Sequence, residues 1–143
     1  MTLRDKDQKK ICIIGAYKTG ASWLTSQNQL VALQESCDGN PAIDTDPKVL
    51  WMSDFCMLIH QQQADNCNII LTGDFNEDVS VPNTDIVTLA NSLGLREALI
   101  EKYWDTPNTH DCRSLPIDGI SVSEGVQIIQ GGYKSFGDSP SDH

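Results

Sequence analysis

One stretch constrains this chain more than any other: Asn68-Ile69-Ile70-Leu71-Thr72, an apolar and β-branched run, passes without a break into Gly73-Asp74-Phe75-Asn76-Glu77-Asp78. The first part has the character of a strand buried on both faces, as in α/β proteins. The second part gathers polar side chains at that strand's C-terminal end. Residues two apart in an extended segment point the same way, so the Asp74 carboxylate and the Asn76 amide can converge on one spot. The same residue types also make turns through hydrogen bonds to their own backbone, and the pair by itself leaves both readings open.

The surrounding sequence supplies partners for such a strand. Ile11-Cys12-Ile13-Ile14-Gly15-Ala16, bounded by Lys9-Lys10 and Lys18, is a second short apolar run of the same kind. A loop with Gly39 and Pro41 is expected over Ser36 to Asp46. Asp46-Pro47 then opens a helix, since aspartate caps free amides and proline fits the first helical position. Leu50, Trp51, Phe55, Leu58 and Ile59 recur at three- and four-residue steps, and the helix should end near Gln63. A second helix is expected from Asn83 or Thr84, with Ile86, Leu89, Ala90 and Leu93 on one face and a stop at Gly94. Leu95 to Tyr103 suggests another short helix, Leu115 to Val122 a strand, and Val126 to Ile129 its neighbour. Strands alternating with helices mean α/β or α+β. At 143 residues the chain fits one domain, read as a tail over 1–10 and a domain over 11–143.

Composition narrows the class. With 39% hydrophobic and 21% charged residues, the chain is globular in balance and unlike a disordered segment. No apolar stretch approaches the ~20 residues that cross a bilayer, and the first residues lack the apolar segment of a secretory signal, so a soluble, intracellular protein is expected. Cys12, Cys37, Cys56, Cys67 and Cys112 are dispersed, without a CxxC pair or histidines at zinc-ligand spacing, which points to reduced thiols. Cys12 and Cys56 lie in apolar runs and read as small hydrophobes. The net charge of -10 counts against a broad nucleic-acid-binding face. It is compatible with a local phosphate site, because carboxylates recruit a divalent cation that then faces phosphate.

Further segments flank the strand and its Gly73-Asp74-Phe75-Asn76 end in a telling order. They are Ile13-Ile14-Gly15-Ala16-Tyr17 upstream, then Thr109, Leu115-Pro116-Ile117-Asp118-Gly119-Ile120, and Ser141-Asp142-His143 at the tail. In that order they resemble the "vNaY", GDFN, "rIDyi" and "SDH" segments of the endonuclease/exonuclease/phosphatase family, which includes deoxyribonuclease-I-like enzymes. Ala21-Ser22-Trp23, Gln61-Gln62-Gln63 and Gly131-Gly132-Tyr133 add a softer likeness to endonuclease domains of transposable elements.

The resemblance implies part of a four-layer α/β sandwich and a metal-dependent phosphodiester hydrolase, with DNA the expected substrate and Mg²⁺ or Mn²⁺ the cofactor. Carried over, Asp74 orients and deprotonates the attacking water, and Asn76 holds that water or a phosphoryl oxygen. Tyr17 touches the phosphate. His143 stabilises developing negative charge, Asp118 supports the imidazole, and Asp142 joins Asp74 at the metal. The bland counterparts are a core aromatic for Tyr17, a strand-end cap for Asp118 and a frayed terminus for His143. His60 and His110 read as surface residues, and Trp23, Trp51 and Trp104 as packing residues.

The chain also departs from the family pattern. The resemblance covers its second part, without the early strand bearing an asparagine, the next strand bearing a metal-binding glutamate, or the strand after the histidine. Glu35 and Glu77 lie in no strand context like that glutamate's, Gly15 stands where asparagine is usual, and Gly119 where an aromatic is common. Two other readings therefore stand beside the nuclease: a non-catalytic remnant or interaction module of the same fold, and a phosphatase acting on small phosphorylated molecules.

Overall fold

A computed structural model describes residues 1–5, 7–18, 47–100, 102, 109 and 116–132. Among them, strands β1 (Thr2–Arg4), β2 (Lys10–Tyr17), β3 (Cys67–Asp74), β4 (Leu95–Glu97) and β5 (Asp118–Ser123) form one sheet in the order β1-β2-β3-β5-β4. Helix α1 (Pro47–Ala64) precedes β3 and helix α2 (Asp85–Ser92) follows it. β2 and β3 run parallel, from Lys10 opposite Cys67 to Tyr17 opposite Asp74, whereas β1, β5 and β4 pair antiparallel with their neighbours. The fold is mixed α/β, the class expected.

Alternation along β3 sorts its side chains between two cores. Cys67, Ile69 and Leu71 join Cys12 and Ile14 of β2, Phe55 and Ile59 of α1, and Ile86 and Ala90 of α2 in the main cluster. On the opposite face Ile70 meets Ile120, Val122, Ala98, Leu99, Val126 and Ile128. Both faces are covered at the middle of the strand, which is why Ile69, Ile70 and Leu71 run together as apolar residues. Trp51 is a packing residue, stacked on Phe55 with ring centroids 4.8 Å apart. Gly94, at φ +68°, ends the second helical segment in the left-handed region that glycine tolerates.

Three expectations differ from the structure. The helix expected over Leu95 to Tyr103 gives way at its start to β4: Gly94 turns the chain, Leu95 drops into the core at 2% exposure, and the backbone pairs with Ser121 to Ser123 of β5. Among the described residues the helical signal survives as a turn, where Glu97 Oε2 accepts the amides of Leu99 (2.9 Å) and Ile100, and the Lys102 amide reaches the Leu99 carbonyl at 3.1 Å. Val126 to Ile129 is not a strand, because β4 already occupies the outer edge of β5. Val126 and Ile128 pack against the smaller cluster while Ile129 is exposed, and the carbonyls of the segment accept from Arg96 and Lys102 at 2.8 to 3.2 Å. Thr2–Arg4, inside the stretch read as a tail, forms edge strand β1 against Lys10 to Cys12.

Candidate active site

The sheet register lines up three of the candidate residues. Tyr17 at the end of β2 faces Asp74 at the end of β3, and Asp74 faces Asp118 at the start of β5. In-register residues on adjacent strands share a face, and this row lies on the face of Ile70 and Ile120, away from α1 and α2. The Phe75 amide donates to the Ile117 carbonyl at 2.9 Å. Phe75 and Ile117 are thus a hydrogen-bonded pair, so Asp74 and Asp118 form the alternate kind, whose Cα atoms stand about 4.5 Å apart and whose side chains come closest. Both carboxylates are half-buried. Tyr17, at 61% exposure, is no core aromatic.

Asn76 reaches Asp74 differently from the way an extended chain would bring it. Its φ of +51° lies in the left-handed region, so the backbone curls back after Phe75. The Asn76 amide donates to Asp74 Oδ1 at 2.9 Å, while Asn76 Nδ2 donates to the Lys18 carbonyl at 2.8 Å and to Asp74 Oδ2 at 3.4 Å. The turn reading and the convergence reading therefore describe one feature: the turn makes the convergence. Phe75, 1% exposed, anchors it in the main core. Gly119 sits under this anchor, since a Cβ there would lie 3.0 Å from Val79 and 3.4 Å from the Phe75 ring.

Two residues hold the site without having been assigned a role from the sequence. Thr109, a buried hydroxyl, accepts the amides of Ile117 at 3.0 Å and Asp118 at 3.1 Å through Oγ1. Lys18, only 5% exposed, pairs its ammonium with Glu77 Oε1. Glu77 Oε2 accepts the Ile86 amide at 3.0 Å in the first turn of α2, and Lys48 stands 3.4 Å from Glu77 and 2.5 Å from Asp85. Burial alone would raise the Glu77 carboxyl, but the Lys18 hydrogen bond, the Ile86 amide and the charges of Lys18 and Lys48 together hold it below its ordinary 4.5. Glu77 is thus committed to an ion pair and a helix terminus.

The structure brings together Tyr17, Asp74, Asn76 and Asp118. His143 and Asp142 lie outside the described residues, as do Glu35, His110, Trp23, Trp104, Cys37 and Cys112. Among the described residues no group of three His, Cys, Asp or Glu side chains converges as a metal site. Cys12, Cys56 and Cys67 are free thiols, and His60 is exposed on α1. No helix of the described residues is long and apolar enough to cross a membrane.

No family model matches the chain, and none of the curated proteins matches it. Among solved structures it is similar to the catalytic domain of human Nocturnin, determined with a bound sulfate anion, at 19% identity and a TM-score of 0.47. That match covers 99% of this chain and 47% of the Nocturnin domain, so the chain spans about half of that domain's length.

Proposed function

We propose that the end of β3 carries the hydrolytic site of an endonuclease/exonuclease/phosphatase-type domain, acting on phosphodiesters with DNA as the substrate. The observation that carries this reading is the row Tyr17, Asp74, Asp118 on three adjacent strands, with Asn76 folded onto Asp74. Two carboxylates placed so offer the hard oxygen donors that Mg²⁺ or Mn²⁺ prefers. Asp74, with Asp142, would hold the ion, which when bound offsets charge on the phosphoryl oxygens.

The chain's own residues then divide the work. Asp74 orients the attacking water and takes its proton. Both Nδ2 hydrogens of Asn76 are directed at Lys18 and Asp74, so Oδ1 is the end that accepts a hydrogen from that water. Of the two tasks the resemblance allows Asn76, holding the water fits this arrangement. Tyr17, exposed at the rim, donates its hydroxyl to a phosphate oxygen. Asp118 keeps the His143 imidazole charged and oriented toward the developing negative charge.

The decisive measurement is nicking of supercoiled plasmid by the purified chain with Mg²⁺. Slow nicking is expected, because a net charge of -10 weakens attraction to DNA. Asp74→Ala should abolish it. Robust nicking that survives this substitution rejects the assignment. Phosphate release from small phosphorylated molecules without any nicking would favour the phosphatase, and neither activity would favour the non-catalytic reading.

A further inference from the structure

Three atoms of Lys18 hold three points of the segment that follows β3. Its amide donates to the Asp74 carbonyl at 2.9 Å, its carbonyl accepts Asn76 Nδ2 at 2.8 Å, and its ammonium pairs with Glu77. Glu77 in turn accepts the Ile86 amide at the start of α2 at 3.0 Å. Residues 74–77 are therefore pinned between the end of β2 and a helix terminus. A lysine 5% exposed is unusual, since burying an ammonium costs more than burying an apolar side chain of the same shape. An apolar residue could fill the space, but it would not tell Glu77 where to lie, and the position of Glu77 sets the turn that carries Asn76.

We propose that Lys18 is a positioning residue: through Glu77 and the Asn76 side chain it fixes the Asp74 carboxylate and the Asn76 amide in the hydrolytic arrangement. The inference rests on the assignment of Asp74 and Asn76 made above. The Lys18 ammonium is engaged by Glu77. It acts by narrowing the turn to one geometry, the precision that transition-state groups need.

The test compares Lys18→Met, Lys18→Arg and Glu77→Gln with the unaltered chain by nuclear magnetic resonance and by nicking kinetics. The first readout needs no metal: solvent exchange of the Asn76 side-chain amide hydrogens should rise at least ~10-fold in Lys18→Met and Glu77→Gln, and stay near the unaltered rate in Lys18→Arg, which keeps the charge. The second is Mn²⁺ broadening of the amide signals of residues 74–76. In Lys18→Met it should need ~10 to 100-fold more Mn²⁺, with kcat falling and KM steady. Unchanged Asn76 exchange in both charge-removing variants overturns the inference whatever the metal does. Should Lys18→Met fail to fold, Glu77→Gln, which keeps its shape and an acceptor for Ile86, decides by the same exchange measurement. Absence of Mn²⁺ broadening in the unaltered chain, with Asn76 exchange responding as expected, would instead remove the hydrolytic reading and leave Lys18 holding a turn of another purpose.

Discussion

Gly73 lies so close to Ala16 that a Cβ built on it would stand 1.8 Å from the Ala16 carbonyl oxygen. The clash is with backbone of the neighbouring strand, so no side-chain rotation relieves it. Gly73→Ala must push β2 and β3 apart just where Tyr17 and Asp74 are paired. Overpacking of this kind costs about 1 to 3 kcal/mol, and the upper part of that range is expected here. Gly15→Ala, on the same pair of strands with nothing within 4 Å of its Cβ, is the control. Urea unfolding of the two variants should separate them, and equal midpoints would show that the strands yield without cost.

Acid should unfold the protein partly through Glu77. Its carboxyl is held below 4.5 in the folded chain and takes its ordinary value once unfolded, so in that pH range the folded state binds fewer protons than the unfolded one. The stability it contributes is then complete above the ordinary value and is lost as pH drops through the lowered one. Asp85, lowered by its hydrogen bond to Lys48, adds in the same direction, though its exposure weakens the effect. Urea midpoints recorded from about pH 6 down to about pH 3 should fall less steeply in Glu77→Gln than in the unaltered chain. Parallel curves would place the acid sensitivity on other carboxylates.

Asn76 combines a backbone demand with a side-chain demand, and two substitutions separate them. Glycine accepts a φ of +51° freely, whereas alanine there carries the left-handed penalty of about 1 kcal/mol. Asn76→Gly should therefore be the more stable of the two by about that amount in thermal unfolding. Both lose the Nδ2 bonds and the Oδ1 acceptor, so both should reduce nicking to the level of Asp74→Ala. Full activity in Asn76→Gly would mean that the turn alone, and not the amide, is what the site requires.

What the sequence disclosed of this fold was whatever is written locally. Proline at the start of the first helix, glycine after the second, and the apolar runs of β2 and β3 each act within a few residues, and each element stands where its signal lies. β4 was hidden because the pull of the core on Leu95 and of the sheet edge on its backbone outweighs the helical pattern that follows. The opposition of Asp74 and Asp118 depends on the register of strands far apart in the chain, which no local pattern encodes. Lys18 was the least visible of all: its partner Glu77 is 59 residues away, and in the sequence it marks only the boundary of an apolar run.

Thr109 offers the sharpest separation of support from chemistry. One hydroxyl oxygen accepts two amides, those of Ile117 and Asp118, and so fixes the chain just where it enters β5. Thr109→Val keeps the shape and removes the acceptor, stranding donors in a buried setting, at a cost of about 1 to 3 kcal/mol. Thr109→Ser restores the oxygen and should recover most of that loss. Because Asp118 hangs from one of these amides, a drift of its backbone moves its carboxylate relative to Asp74, so nicking should fall further than the loss of folded protein explains. Hydrogen exchange provides the check: the amides of Ile117 and Asp118 should lose protection in the valine variant while that of Phe75, bonded to the Ile117 carbonyl, stays protected. If all three open together, the hydroxyl supports the whole junction of β3 and β5 and not the placement of Asp118 in particular.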